Sequence, residues 1–158
     1  MAIDRDSAGV KIPPPLAFGG TLAVGLVLDK FLIWNIGIPL GGWLENLIGW
    51  VAALAGFGIL MTAIGLFRKA GTDPKPWTAT TALVTEGVYR WTRNPMYLGM
   101  ALIYLGIAFL WDSLMALILF APLIVWITRE VIEREEAYMT AKFGDAYLAY
   151  RERTNRWF

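Results

Sequence analysis

The 158-residue chain contains no cysteine and no histidine. The first absence excludes disulfides, thiolate nucleophiles and thiolate metal sites; the second removes imidazole as a metal or haem ligand and as a general base. Charge is scarce as well. Asp, Glu, Lys and Arg make up 17% of the residues and nearly cancel to a net charge of +1, so the balance gives no case for nucleic acid as a partner. No metal site is predicted. Chemistry must therefore rest on Arg, Glu, Asp, Tyr, Asn and backbone groups. The sequence also lacks an internal repeat, a low-complexity tract or a domain boundary, and residues 1–158 read as one domain.

What is plentiful is apolar surface: 57% of the residues are hydrophobic and the mean hydropathy is +0.52, well beyond an ordinary soluble domain. The pattern predicts an all-α integral membrane protein of about four transmembrane helices. Its third and fourth helices form a hairpin, and a cytoplasmic helical extension follows at the C-terminus.

The first apolar run, from about Pro15 to Ile36, matches a bilayer core that needs roughly 20 residues. Asp29 and Lys30 sit towards its far end, where Lys can snorkel and Asp can meet water. Met1 to Pro15 shows no cleavable leader pattern, so the N-terminus is expected to remain. Trp34 to Trp50 has Pro39, Gly41 and Gly42 but no Lys or Arg, and reads as a short non-cytoplasmic connection. A second span is expected from about Asn46 to Phe67, with Gly49, Gly56, Gly58 and Gly65 suited to close helix packing.

Arg68 to Thr85 is the longest polar connection, and its Arg68, Lys69 and Lys75 place it and both termini in the cytoplasm. Pro95 to Trp111 and Leu114 to Thr128 then form a tight hairpin capped at Asp112 and Ser113, with a kink expected at Pro122. Trp34, Trp43, Trp50 and Trp111 fall at one interface, and Trp77, Trp91 and Trp126 at the other. Trp126 to Lys142 holds no Gly or Pro, so the fourth helix is expected to continue out of the bilayer. Phe143-Gly144 closes it; Asp145 to Arg153 reads as a short helix presenting Tyr147 and Tyr150, and Trp157 and Phe158 as an interfacial anchor.

Glu86 to Gly99 is the focus of this arrangement, because a basic loop there runs into a hydrophobic helix. Asn94 followed by Pro95 reads as an N-cap and first helical residue. The free amides of that helix start, beside Arg90 and Arg93, suit a carboxylate or phosphate. Gly99, one turn in, allows close approach to the backbone. On the extension Arg129, Glu133 and Glu136 share one face of a regular α-helix, and Ile132, Glu135 and Met139 a neighbouring one. Two readings follow: salt bridges that lock the loop to the extension, or a site for a zwitterionic ligand between them.

The order of these features resembles a family. Gly87-Val88-Tyr89, the run from Arg93 to Gly99, Arg129, Glu135-Glu136, Phe143-Gly144, Tyr147 and Tyr150 look like the isoprenylcysteine carboxyl methyltransferase and phospholipid methyltransferase family. Gly71-Thr72 and Leu83-Val84-Thr85 are similar to bacterial members, and the resemblance runs from about residue 71 to 158. It implies S-adenosylmethionine as methyl donor, with Tyr89, Arg93, Asn94, Pro95, Tyr97, Leu98, Gly99, Glu135 and Glu136 as cofactor-binding candidates. It also implies methyl transfer to a lipophilic or small apolar acceptor taken from the bilayer: a carboxylate, a lipid amine or a thiol. Arg129 is the candidate for orienting a carboxylate acceptor, and Glu133 or Glu135 for accepting a proton from an amine. Eukaryotic carboxyl methyltransferases carry His where this chain has Asn94, which leaves the acceptor open. A bacterial inner membrane is the expected location, and the oligomeric state is open. A nicotinamide-dependent membrane reductase without a Gly-x-Gly-x-x-Gly unit and a non-enzymatic membrane scaffold are the alternatives.

Overall fold

A computed structural model of the chain describes residues 6–32 and 37–158. Its elements are α-helices joined by loops and two tighter or looser turns. α1 (Pro14–Leu32), α2 (Gly42–Lys69), α3 (Pro95–Leu110) and α4 (Leu114–Ile127) form the apolar core. A 3-10 turn (Gly87–Arg90) precedes α3, and a π turn (Thr128–Ile132) leads from α4 into α5 (Glu133–Phe143), which α6 (Asp145–Arg153) follows.

α2 and the continuous helix Leu114–Phe143 are long and apolar enough to cross a membrane, while α3 is apolar but shorter. Leu16, Val24, Val27 and Phe31 of α1 and Leu47, Val51, Leu54 and Phe57 of α2 all face outward. Such a continuous apolar exterior suits lipid rather than water. The protein is an all-α membrane protein. The helix that begins at Leu114 turns polar at Arg129, so α5 and α6 lie beyond the apolar band.

α2 and α3 meet along a seam of glycines. A Cβ on Gly56 would lie 2.6 Å from the Gly99 carbonyl oxygen, and one on Gly106 would lie 2.6 Å from the Ala53 nitrogen. Backbones that close tolerate no side chain between them, which is how small residues hold apolar helices together. Gly49 belongs to the same seam, but Gly58 and Gly65 meet nothing within 4 Å. Two of the four glycines expected to pack therefore do so. α1 completes the core against α4, where Gly25 faces Ala116.

Several boundaries and caps differ from the sequence expectation. α2 begins at Gly42, four residues early, because Gly41 turns the chain at φ 82° and its carbonyl accepts from Leu44 and Glu45. The stretch from Gly42 to Trp50 is thus helix rather than connection. Ser113 caps α4 by accepting from the Ala116 amide at 3.1 Å. Asp112 does not share that task, since its Oδ1 accepts from the Ile38 amide at 2.6 Å. Asp29 does, for its carboxylate accepts from the Ser113 hydroxyl and, at 3.0 Å, from the Met115 amide. It ties α1 to the start of α4 rather than merely meeting water. The expected end of the first span at Ile36, the place of Trp34 and the first five residues lie outside the described residues.

Candidate functional site

The polar end of the bundle is built by two glycine-dependent reversals. Gly87 stands at φ 59° and opens the 3-10 turn, which leaves Arg90 exposed and sends Tyr89 inward against Phe67, ring centroids 5.5 Å apart. Gly144, at φ 52°, ends α5 and folds α6 back. Only glycine adopts such backbone angles without strain. α6 then returns Tyr147 and Tyr150 to the same cluster, and the Tyr150 hydroxyl donates to the Tyr89 carbonyl at 2.7 Å. Burial holds the Tyr89 and Tyr150 phenols well above their ordinary values. For Tyr147 burial and the Glu136 charge raise the phenol while Arg93 opposes them.

Asn94 occupies the N-cap position, its carbonyl accepting from Leu98 at 3.0 Å, but its side chain does not cap α3. The carboxamide instead donates to the Arg156 carbonyl at 3.0 Å. Thr92 donates to the same carbonyl at 3.0 Å, and the Arg93 amide donates to the Asn155 carbonyl at 2.9 Å. The C-terminal tail is thereby stitched to the three residues before α3.

These elements enclose a cavity of about 100 Å³. Arg93, Asn94, Pro95, Met96 and Tyr97 line one side and Glu135, Glu136, Tyr138 and Met139 another, with Tyr89, Tyr147 and Tyr150 between them. The loop at Asp73–Pro76, Thr78, Thr80 and the N-terminal Ala8 complete it. A second, apolar groove of about 410 Å³ runs among α1, α2 and α3, past Phe18, Leu60, Met100 and Ile103 as far as Ile107. Pro74, Lys75, Pro76, Met96 and Tyr97 line both, so the polar cavity and the apolar groove adjoin.

The charges in the cavity are unevenly paired. Glu136 is buried, and the Arg156 guanidinium grips it with two hydrogen bonds, Nε to Oε1 at 3.1 Å and Nη2 to Oε2 at 2.7 Å. That bond to Glu136 raises the Arg156 pKa above its ordinary value. Arg93 reaches Glu136 only through Nη2, at 3.3 Å from Oε1; its side chain is 9% exposed, and Nε and Nη1 are buried without a hydrogen-bond partner. Two buried guanidinium donors without partners are costly, and an anion would satisfy them. Glu135 accepts from the Tyr97 hydroxyl at 2.6 Å. Burial pushes its carboxyl up to about 7; the Tyr97 bond works against that shift, and the Glu136 charge adds to it.

Of the candidates read from sequence, the fold brings Tyr89, Arg93, Asn94, Pro95, Tyr97, Glu135 and Glu136 to the cavity. Leu98 and Gly99 are not among its lining residues, because α3 has turned away by then and Gly99 packs against Gly56 and Leu60. Arg129 is exposed and lies outside the lining. Glu133 is exposed as well, 3.5 Å from Arg156. The π turn accounts for Arg129, which lies within it. One extra residue in a turn rotates everything after it by roughly 100°, so Arg129 and Glu136 no longer share a face. Sequence reasoning missed Tyr138 and the loop around Thr80 in the lining, and Arg156, which lies outside the lining but binds Glu136; the only signal for Arg156 is a basic residue just before the aromatic end.

Residues 44–146 match the phospholipid methyltransferase family. Over 72 residues the chain is 38% identical to the protein-S-isoprenylcysteine O-methyltransferase of Schizosaccharomyces pombe. That stretch covers 45% of this chain and 30% of the yeast protein, so the chain spans less than a third of that relative's length. No solved structure matches the chain significantly.

Proposed function

Because this chain belongs to the phospholipid methyltransferase family, we propose that it transfers a methyl group from S-adenosylmethionine to a lipophilic acceptor drawn from the bilayer. The observation that carries this reading is the buried Arg93 guanidinium. Its Nε and Nη1 have no partner in a polar cavity that adjoins an apolar groove.

The residues present suit the cofactor. Arg93 would take the carboxylate of its methionine part, and Glu135 stands where an ammonium or an acidic proton can be met. Tyr89, Tyr147 and Tyr150 offer ring faces for a base and a sulfonium. When bound, S-adenosylmethionine supplies an electrophilic methyl group and leaves as a thioether. The chain's own task is to hold the acceptor in line and keep water out. The groove among α1, α2 and α3 would bind the acceptor's apolar part and deliver its polar end past Met96 and Tyr97. A carboxylate acceptor arrives ionised and needs no base. An amine or thiol must lose a proton, and Glu135 is placed for that role where the exposed Glu133 is not.

The yeast relative's name supports an acceptor with an apolar tail and a terminal carboxylate. The site end would face the cytoplasm, since Arg68, Lys69, Lys75, Arg90, Lys142 and Arg156 gather there while the opposite end of the helices holds Lys30, Asp29 and Glu45. A bacterial inner membrane fits that asymmetry.

Calorimetric titration of the purified protein with S-adenosylhomocysteine tests the reading. Saturable binding near one site per chain supports it, and an acceptor screen over prenylated carboxylates, lipid amines and thiols then follows. Absent binding in folded protein, both in detergent and in lipid, would refute it and turn attention to nicotinamide cofactors.

A further inference from the structure

Glu136 stands between two guanidinium groups and is shared unequally. Arg156 takes both of its oxygens, at 3.1 and 2.7 Å, whereas Arg93 touches Oε1 alone at 3.3 Å. Arg156 also lies 3.5 Å from the half-exposed Glu133, so two carboxylates match it, whereas Arg93 has only a share of Glu136. The less satisfied cation is Arg93, whose Nε and Nη1 lack partners.

We propose that Arg156 is a positioning residue for an anion site at Arg93: by engaging both oxygens of Glu136 it keeps that carboxylate from closing onto the Arg93 guanidinium. The proposal rests on the reading that the cavity takes the amino-acid end of S-adenosylmethionine. A carboxylate and a guanidinium left alone prefer a two-pronged pairing. Without Arg156, Glu136 is free to rotate and form that pairing with Arg93. Glu136 then neutralises Arg93 directly, and the donors that lack partners in the wild type are consumed.

The tail is held for this purpose by contacts independent of the charges. The Arg156 carbonyl accepts from Asn94 and Thr92, and the Asn155 carbonyl from the Arg93 amide. The loop that carries Arg93 thus also fixes the residue that keeps Arg93 Nε and Nη1 without partners. Arg156 lies beyond the stretch matched to the family, residues 44–146, so the family match does not assign it this role.

Two measurements test the proposal on full-length protein. In the first, wild type, Arg156→Ala and Arg156→Gln are titrated calorimetrically with S-adenosylhomocysteine and with 5′-methylthioadenosine, which lacks the ammonium and carboxylate. Arg156→Ala is expected to lose about tenfold or more in affinity for the first, the scale of one charge-assisted contact, and to bind the second as wild type does. Arg156→Gln keeps a donor to Glu136 without the charge and should fall between. Unchanged affinity for S-adenosylhomocysteine, or an equal loss for both ligands, would overturn the proposal, the latter by marking Arg156 as merely structural.

The second measurement needs no ligand and separates this idea from the cofactor reading. Thermal midpoints are compared for Arg93→Ala made in wild type and in Arg156→Gln. In wild type, removing a guanidinium that meets Glu136 only through Nη2 should change the midpoint little; in Arg156→Gln, where Glu136 has turned to Arg93, it should lower it. Additive shifts would overturn the positioning role even if S-adenosylhomocysteine binds. Wild-type protein that binds neither nucleoside but shows the coupling would refute the cofactor reading and leave the positioning role standing.

Discussion

The Tyr97 hydroxyl donates to Glu135 Oε1 at 2.6 Å, joining the first turn of α3 to α5 across the cavity. Tyr97 also lines the apolar groove. One side chain therefore touches both the charged and the apolar half of the site, and the carboxyl it holds titrates close to neutrality.

Glu135 gives the protein a pH-dependent stability of unusual sign. Its folded value of about 7 lies above the unperturbed 4.5, so between those values the folded state keeps a proton that the unfolded state has lost. The contribution is full below about 4.5 and is lost as pH rises through about 7. Thermal midpoints without ligand should decline over that window, and Glu135→Gln, which cannot ionise, should flatten the decline. An equally steep decline in the variant would remove Glu135 as its source.

Tyr97→Phe removes the one contact that lowers the Glu135 pKa. The midpoint of the Glu135 titration should therefore move further up, and the variant should lose on the order of 1–2 kcal/mol of stability, as for one hydrogen bond to a charged or half-charged partner. Following S-adenosylhomocysteine affinity from pH 5 to pH 9 reads the shift directly. A curve that moves to lower pH would contradict the geometry.

The glycine seam predicts a contrast within a single helix type. Gly106→Ala places a Cβ 2.6 Å from the Ala53 nitrogen and 2.7 Å from the Gly49 carbonyl oxygen, atoms that cannot step aside without parting α2 from α3. Overpacking of that kind costs roughly 1–3 kcal/mol. Gly58→Ala meets nothing within 4 Å and should be neutral or mildly stabilising through helix propensity. Comparing the thermal midpoints of the two variants in the same detergent decides the matter.

The sequence makes the membrane helices legible because apolar runs, Pro95 at a helix start and Gly144 at a helix end are local signals. The cavity residues Tyr89 and Arg93 to Tyr97 and the pair Glu135-Glu136 are legible too, since they lie at the junctions where charge meets apolar helix. What is not legible depends on rotation and on distant pairing. The π turn at Thr128–Ile132 carries no Gly or Pro to announce it, and it moves Arg129 off the face that Glu136 occupies. Asn94 and Asp29 are read as ordinary helix-end residues, yet their partners, Arg156 and Ser113, lie 62 and 84 residues away. Gly99 is correctly read as a place of close approach, but what approaches is α2 rather than a ligand.

The Tyr138 hydroxyl joins the N-terminal segment and the loop at Thr80 to α5 at the edge of the cavity. Tyr138 donates to the Asp6 carbonyl at 3.1 Å and accepts from the Thr80 amide at 3.1 Å and from Lys142 at 2.9 Å. One donated and two accepted bonds exhaust what a hydroxyl can make, so Tyr138→Phe releases two segments, at Asp6 and at Thr80, from α5 at once. The Asp6–Lys142 ion pair beside it is solvent-exposed on the Asp side and should contribute little, less still at high salt. Hydrogen exchange should therefore speed up at residues 7–12 and around Thr80 in Tyr138→Phe, while the α2 and α3 amides that define the glycine seam stay protected. Asp6→Asn keeps the backbone carbonyl that Tyr138 uses and should behave nearly as wild type. Were Asp6→Asn to loosen the segment as much as Tyr138→Phe does, the ion pair rather than the hydroxyl would be what holds it, and the loosening should then track ionic strength.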